Sequence, residues 1–379
     1  MLASKKVAII YRMDHPGGVQ SVVTALIRGL NQQGIIPDIL WDLPPNRELL
    51  EAANCKTGFQ KLRFHISTRR IDKLPSSLRY VAWIFNCTDL EKIEQSYDFY
   101  FLFHNSFLVS TGMQHLRYLN GPPLIPQLWV IPKGLRGLPV RFFGWSYRNF
   151  LRFKYPVYEF HRDSPYVINS QYTSDLFEQT HGVRLPVVYP PIQMVRCDYA
   201  ANDLPQRNTI TFFSRIVDYK RPEMVLELAK RYPQQRCVIM GGVPSHRIPF
   251  FESLKLKAKE AELEHVFFYA NPSDVVVREE LSRTRFYIFP AKNEHFGMTT
   301  VEAVACGAIP FVHDSGGQRE IVHIDKLRFT DADYFEKFAW LFNQPLETLN
   351  QIRSGLAQHI LQFSEEKSVE KLLAYLNDK

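Results

Sequence analysis

The sequence predicts an α/β protein of two doubly wound parallel-sheet domains, and three observations carry that prediction. Short runs of Val, Ile, Phe and Tyr alternate with amphipathic stretches through both halves of the chain. The alternation breaks in a polar, proline-containing stretch at about residues 185–208, then restarts at Thr209. With 379 residues, 45% of them hydrophobic, the chain can fill two cores of ordinary size. Strands alternating with helices build a sheet covered on both faces. The expected domains are residues 1–190, joined by a last helix at 364–379, and residues 191–363.

In the first half, residues 6–11 read as a buried strand and 19–30 as a helix with apolar Val22, Val23, Leu26, Ile27 and Leu30. Gly17 and Gly18 lie between them. They admit either a close approach by a sugar or phosphate or a plain tight turn, and they lack the full dinucleotide pattern Gly-x-Gly-x-x-Gly. Residues 36–43 read as a second strand, 75–96 as a helix and 98–104 as a third strand. His104 ends that strand, either facing a ligand or capping the strand. A further strand and polar turn at 164–170 lead into a helix with Thr173 or Ser174 as its cap.

In the second half, strands are expected at 209–213, 236–240, 266–269, 286–290 and 311–313. The first is followed by Ser214-Arg-Ile-Val-Asp-Tyr-Lys-Arg-Pro222, with Pro222 suited to the first helical position. Arg215 and Lys220 on this loop suit a diphosphate, although a solvated basic loop would carry the same pair. After the strand at 286–290 comes the most informative stretch, Ala291-Lys-Asn-Glu-His-Phe-Gly-Met-Thr-Thr-Val-Glu-Ala-Val-Ala-Cys-Gly307. It reads as a loop and then a helix over 299–306, with Thr at its start and Gly307 as C-cap. Glu294 therefore sits at the carboxyl end of a strand, where open α/β sheets bind ligands. Glu302 lies about one turn into the helix, facing roughly the same site. Gly297 lets the backbone approach a ligand, and the N–H groups of Phe296, Gly297, Met298 and Thr299 can hold phosphate. Two carboxylates beside a phosphate site make sense if they grip hydroxyls, one on a sugar and one on a ribose. A surface Glu followed by a Glu on an ordinary amphipathic helix has the same spacing.

Charge and cysteines narrow the classes further. Residues 1–180 hold 21 Lys+Arg against 14 Asp+Glu, which accounts for the whole net charge of +7. Residues 99–158 contain seven Lys/Arg and no acid, and over 129–158 the cations interleave with aromatics. This segment suits an anionic membrane surface, or else it is a helix with an aromatic core face and a solvated basic face. No nucleic-acid recognition motif accompanies it. Five scattered cysteines without a Cys-x-x-Cys point to a reducing compartment and no zinc site. No apolar run is long enough to span a bilayer, and the start of the chain reads straight into a strand rather than as a signal peptide. The expected location is cytoplasmic, peripheral on the inner membrane face.

Asn293-Glu-His-Phe-Gly-Met-Thr-Thr-Val-Glu-Ala303, Cys306-Gly-Ala-Ile-Pro-Phe-Val312 and His313-Asp-Ser-Gly-Gly-Gln-Arg-Glu-Ile-Val322 resemble the nucleotide-sugar site of retaining GT-B glycosyltransferases of family 4 (group 1). Among these, Asn-Glu-His-Phe-Gly and His-x-Ser-Gly-Gly are most similar to dolichol-linked oligosaccharide α-1,2-mannosyltransferase-like enzymes. Arg215 with Lys220-Arg-Pro222, Gly17-Gly18, Asn169-Ser170 and Phe363-Ser364 resemble further family segments. The resemblance covers the second half well and the first thinly. It implies a GT-B fold, two Rossmann-like domains facing a cleft, with the acceptor on the first and the donor on the second.

It also implies site roles. Arg215 and Lys220 would hold the donor diphosphate, Glu294 the hexose and Glu302 the ribose. Gly17, Gly18, His295, Phe296, Gly297, Met298 and Thr299 would complete the donor site. No cofactor is implied beyond the substrate, GDP-mannose or a UDP-sugar, and no Asp-x-Asp implies a metal. The acceptor would be a glycan or a lipid-linked sugar. Tyr118-Leu-Asn-Gly-Pro-Pro123 resembles a family segment that carries a histidine where this chain has Asn120. Asn still hydrogen-bonds a hydroxyl but does not titrate near neutrality. His104 and Asn120 are thus the expected sugar or acceptor contacts. Two rivals remain: a catalytically weak sugar-nucleotide-binding protein on the same fold, and an NAD-dependent enzyme, disfavoured by the missing glycine pattern.

Overall fold

The computed structural model describes residues 5–13, 17–62, 68–73, 96–103, 114–121, 165–192 and 204–377. The expected helix at 75–96 falls mostly outside them, and His104 and the basic aromatic segment 129–158 fall wholly outside. The chain divides into two compact units, Met1–Pro190 with Ser368–Lys379, and Pro191–Lys367.

The first unit is built from β1 (Val7–Ile10), α1 (Gly18–Gln32), β2 (Asp38–Trp41), α2 (Arg47–Ala52), β3 (Gly58–Lys61), α3 (Thr68–Asp72), β4 (Phe99–Leu102), β5 (His115–Leu119), β6 (Tyr166–Ile168) and α4 (Gln171–His181). Its sheet runs β3-β2-β1-β4-β5-β6, every pair parallel. All four residues of β1 are buried, as an inner strand with both faces covered requires. The strand period of two sends Val7 and Ile9 into one cluster, with Val22, Leu26, Leu30, Phe99 and Phe101. Ala8 and Ile10 go to the other face, with Leu40, Trp41, Tyr100 and Leu102. The last helix, found below as α12, adds Val369, Leu372, Leu373 and Leu376 to the first cluster. It packs so close to α1 that a Cβ on Gly29 would lie 2.2 Å from Val369 Cγ1.

In the second unit come β7 (Thr209–Phe213), α5 (Glu223–Arg231), β8 (Arg236–Gly241), α6 (Ile248–Glu260), β9 (Val266–Ala270), α7 (Asp274–Arg283), β10 (Thr284–Phe289), α8 (Met298–Ala305), β11 (Ile309–His313), α9 (Gln318–Ile321), β12 (Arg328–Phe329), α10 (Tyr334–Phe342) and α11 (Leu346–Ile360), before α12 (Glu365–Asn377). The sheet order is β12-β11-β10-β7-β8-β9, again all parallel. Counted from the first strand of each unit, both orders read 3-2-1-4-5-6, the doubly wound Rossmann order. An aromatic cluster covers one face, with the Phe311 and Phe329 rings stacked at 4.6 Å and Phe286, Tyr334 and Phe338 around them. Burying each such side chain is worth about 1.5–3 kcal/mol.

Several local readings change. Ser170, not Thr173 or Ser174, caps α4: it is extended, and its Oγ accepts the Thr173 N–H at 3.1 Å. Pro222 is the N-cap of α5 rather than its first helical residue. Helix α8 starts at Met298, capped by Gly297 with no side-chain hydrogen bond, so Thr299 is its second residue. Cys306 is its C-cap, and Gly307 follows in the left-handed region at φ +81°. Cys55 and Cys237 are free thiols, the first half-buried and the second buried.

Candidate functional site

In a 3-2-1-4-5-6 sheet the winding reverses between the first and fourth strands, and a crevice opens there at the strands' carboxyl ends. In the second unit those strands are β7 and β10. The loop after β7 carries Arg215 and Lys220, and the loop after β10 carries Glu294. Topology alone therefore brings these three residues together.

Lys220 Nζ and Glu294 Oε2 form an ion pair. The lysine side chain is 6% exposed and the glutamate 22%, so the pair is open to solvent from the glutamate side. Lys220 Nζ also lies 5.0 Å from the centre of the Phe289 ring. Burial pushes the lysine pKa below its usual value, outweighing the attraction of Glu294, and the charge of Arg215 pushes the same way. Arg215 is exposed, with Nη2 3.3 Å from Tyr219 Oη.

Behind Glu294 the backbone is set for α8. Gly297 has φ +106°, a region L side chains rarely adopt. A Cβ there would also sit 2.2 Å from Nε2 of the fully buried Gln318. Because no side chain caps α8, its first N–H groups remain open to an anion. Phe296 is buried edge-on against Phe363, with centroids 5.2 Å apart. His295, Met298 and Thr299 are half-buried beside it. Glu302, also half-buried, lies on the first turn and a half of the helix.

Tyr287, which sequence reasoning read only as strand, and the turn after β11, quoted above only within the family resemblance, complete this floor. Tyr287, in β10, is fully buried; its hydroxyl donates to the Phe213 carbonyl at 3.0 Å and pairs with Thr299 Oγ1 at 2.8 Å. Burial drives its pKa up, the hydroxyls of Thr299 and Thr300 oppose this, and the charges of Glu302 and Glu294 add to it. One phenol thus feels both carboxylates, which places them around a common floor. The turn after β11 is the second addition. Its Gly317 N–H donates to the Glu294 carbonyl at 2.7 Å, and a Cβ on Gly316 would meet that oxygen at 2.4 Å. Gln318 Oε1 accepts from Thr300 Oγ1 at 2.8 Å. The readable signal was adjacency, since β11 is the parallel neighbour of β10 and their following loops must lie side by side.

In the first unit, Gly17 is the N-cap of α1, and its φ of 176° is extended backbone open to any residue. Among the described residues, nothing lies within 4 Å of a Cβ built there. Gly18 is the first residue of α1. Asn120 follows β5 half-buried, its carbonyl accepting from Asn169 Nδ2 at 2.9 Å. No helix among the described residues is long and apolar enough to cross a membrane.

Residues 200–350 match the family of glycosyl transferases group 1. The chain is 27% identical over 147 residues to the lipopolysaccharide core biosynthesis mannosyltransferase LpcC of Rhizobium leguminosarum bv. viciae, covering 38% of this chain and 41% of that one. It is 26% identical over 225 residues to the GDP-Man:Man(3)GlcNAc(2)-PP-Dol alpha-1,2-mannosyltransferase of Dictyostelium discoideum, covering 53% and 44%. The chain thus spans under half the length of these curated relatives in each match. Among solved structures, Anabaena Alr3699/HepE in complex with UDP and glucose superposes with a TM-score of 0.69 at 14% identity, covering 99% of this chain and 100% of that one. The fold is therefore GT-B, and the match to the group 1 glycosyl transferases lies within the second unit.

Proposed function

We propose that this chain is a retaining hexosyltransferase, moving a sugar from a nucleotide diphosphate donor to a glycan or lipid-linked acceptor. The observation that carries the reading is the buried Lys220 and its partner Glu294, set at the β7/β10 switch point beside the uncapped start of α8. As the glycosidic bond breaks, negative charge grows on the leaving nucleoside diphosphate. Arg215, Lys220 and the amides of Phe296 to Met298 stabilise it as fixed charges and dipoles. Glu294 then holds the hexose hydroxyls and Glu302 the ribose. The acceptor attacks from the face the leaving group departs, and the leaving phosphate oxygen takes its proton, so no enzymic nucleophile is needed. No metal has a step in this scheme.

Mannose from GDP-mannose is the donor we favour, from the Glu-His-Phe-Gly segment and from two relatives named as mannosyltransferases. A UDP-sugar is the alternative, since the HepE structure is described with UDP and glucose. A panel of GDP- and UDP-sugars, followed by hydrolysis and by the anomeric NMR signal of any product, tests donor and stereochemistry together. An inverted product, or protection against melting by NAD but by no nucleoside diphosphate, overturns the reading. The second reading, a catalytically weak sugar-nucleotide binder, is favoured by Asn120 standing where the family carries histidine. Nucleotide binding without turnover of any sugar would support it.

The basic aromatic segment 129–158 supports an acceptor at an anionic membrane surface, each cation contributing on the order of 1 kcal/mol at low salt. Vesicle co-sedimentation with and without anionic lipid tests this. A wild-type protein that ignores anionic vesicles at low salt removes the membrane from the proposal.

A further inference from the structure

We infer that His313 is a positioning residue for Glu294, acting through Ser315 on the loop that presents it. What Glu294 does rests on the transferase reading above; how it is held does not.

Asn293, just before Glu294, has φ +52°, in the left-handed region that asparagine tolerates better than most side chains and where the chain turns toward Glu294. Two contacts flank that point. Ser315 Oγ accepts the Asn293 N–H at 2.9 Å, and the Gly317 N–H donates to the Glu294 carbonyl at 2.7 Å. Between them Gly316, at φ +71°, lies so close that a Cβ would stand 2.4 Å from Glu294 O and 2.7 Å from Glu294 N. The second contact is backbone to backbone, so side-chain changes leave it in place. The first depends on one hydroxyl and its orientation.

His313 sets that orientation. It ends β11 at 8% exposure, with Nδ1 2.9 Å from Ser315 Oγ. If the imidazole is neutral with its proton on Nε2, Nδ1 accepts the serine hydroxyl proton. A serine lone pair is then turned to the Asn293 N–H, and the relay runs Asn293 N–H to Ser315 O–H to His313 Nδ1. The Nε2–H faces Asp331 Oδ1 at 3.8 Å. Protonation turns Nδ1 into a donor, so the serine proton loses its acceptor and the relay reverses.

The charges around His313 come from four segments. Asp331 follows β12 and is bound by Arg221 at 2.7 Å and Lys292 at 2.5 Å. Asp314 is the next residue in the chain. Burial lowers the histidine pKa; Asp331 opposes this, Lys292 and Arg221 add to it, and Asp314 opposes it. Asp331 is already shared by two cations, so it does not rescue the imidazolium. The sign follows from linkage. With its folded pKa below the unfolded value near 6.5, His313 contributes stability that is complete above about pH 6.5 and declines as pH falls toward the lowered value.

The test is hydrogen–deuterium exchange on the free protein, read by NMR on the Asn293 amide that Ser315 holds and normalised to intrinsic rates, at about pH 7.5 and at stepwise lower pH. Ser315→Ala and His313→Phe should speed exchange there roughly tenfold at the higher pH, with the amides of β10 unchanged. His313→Asn places an oxygen acceptor near the Nδ1 position without a titrating group. It should match wild type at the higher pH and keep that protection as the pH is lowered through the range in which wild type loses it. If Ser315→Ala exchanges like wild type, or His313→Asn behaves like His313→Phe, the relay does not position the loop. In the transfer assay, Ser315→Ala should lower kcat about tenfold with donor KM little changed. Exchange shifts as expected in a protein that turns over no sugar nucleotide would sink the transferase reading and leave the relay standing.

Discussion

The two units share one strand order and differ in what they hang on it. In both, the loops at the topological switch follow the first and fourth strands. In the second unit those loops carry a buried ion pair, a left-handed glycine locked against Gln318, and a neighbouring turn pinned to the Glu294 backbone. In the first unit the loop after β1 ends at Gly17, extended, exposed and with no described residue within 4 Å of an added Cβ. Among the described residues, the crevice is a built charge site in the second unit, while the first shows only an exposed Gly17 at its edge. This is the division expected if a fixed diphosphate is held by one unit and a bulkier acceptor is admitted by the other.

The largest expected effect lies in the built crevice. Lys220→Ala removes a buried cation preorganised for leaving-group charge and strands Glu294. Turnover should fall by roughly 2–4 kcal/mol of barrier, and Arg215→Ala should fall in the same range. Arg215 lies in the loop after β7 and Lys220 ends a single 3-10 turn within it, so far-UV circular dichroism should be unchanged. Turnover within threefold of wild type for both variants would erase the distinction between the two crevices.

The carboxylates sharpen the comparison within the second unit. Glu302→Ala should weaken binding of the bare nucleoside diphosphate by about 1.5–3 kcal/mol, the range for a hydrogen bond to a charged group. Glu294→Ala should mainly lower turnover. Calorimetric titration of both variants with the same nucleoside diphosphate checks this, and equal losses would reject the split.

Gly297→Ala comes next. It forces a side chain into φ +106° and onto the Gln318 amide, so stability should drop by about 1–3 kcal/mol in chemical denaturation. Unchanged stability would mean that the loop is not locked.

Much of the fold was legible because both periodicities are plain. Val7 to Ile10 and Thr209 to Phe213 are apolar runs bounded by turn residues, and Val22, Leu26 and Leu30 repeat at helical spacing. Element ends were less legible. Ser170 and Thr173 are both good caps by residue type, and only the extended backbone at Ser170 decides between them. The site was legible where chemistry and loop position coincide, at Arg215, Lys220 and Glu294. Tyr287 was hidden inside an apolar strand, where one hydroxyl reads as core. His313 and Ser315 act through a neighbouring loop, and such contacts follow from strand order, which no local pattern encodes.

The smallest structural effect, and the sharpest probe of the open crevice, is Gly17→Ala. Its backbone is extended and, among the described residues, no atom lies within 4 Å of the added methyl. Folding stability should therefore stay within about 0.5 kcal/mol of wild type, as for surface changes away from special conformations. Neither φ nor packing among the described residues demands glycine here, in contrast to Gly297. If the position serves a substrate, the demand comes from that substrate: the methyl would occupy space needed for close approach at the start of α1, where the helix presents free N–H groups. The expected result is an unchanged melting temperature with transfer reduced about tenfold, a difference of roughly 1.4 kcal/mol. Equal activity and equal stability would make residue 17 a plain turn and leave the first unit's crevice without a ligand role at this point. Lost stability would mean that the loop is packed after all, and the contrast between the two crevices would no longer hold.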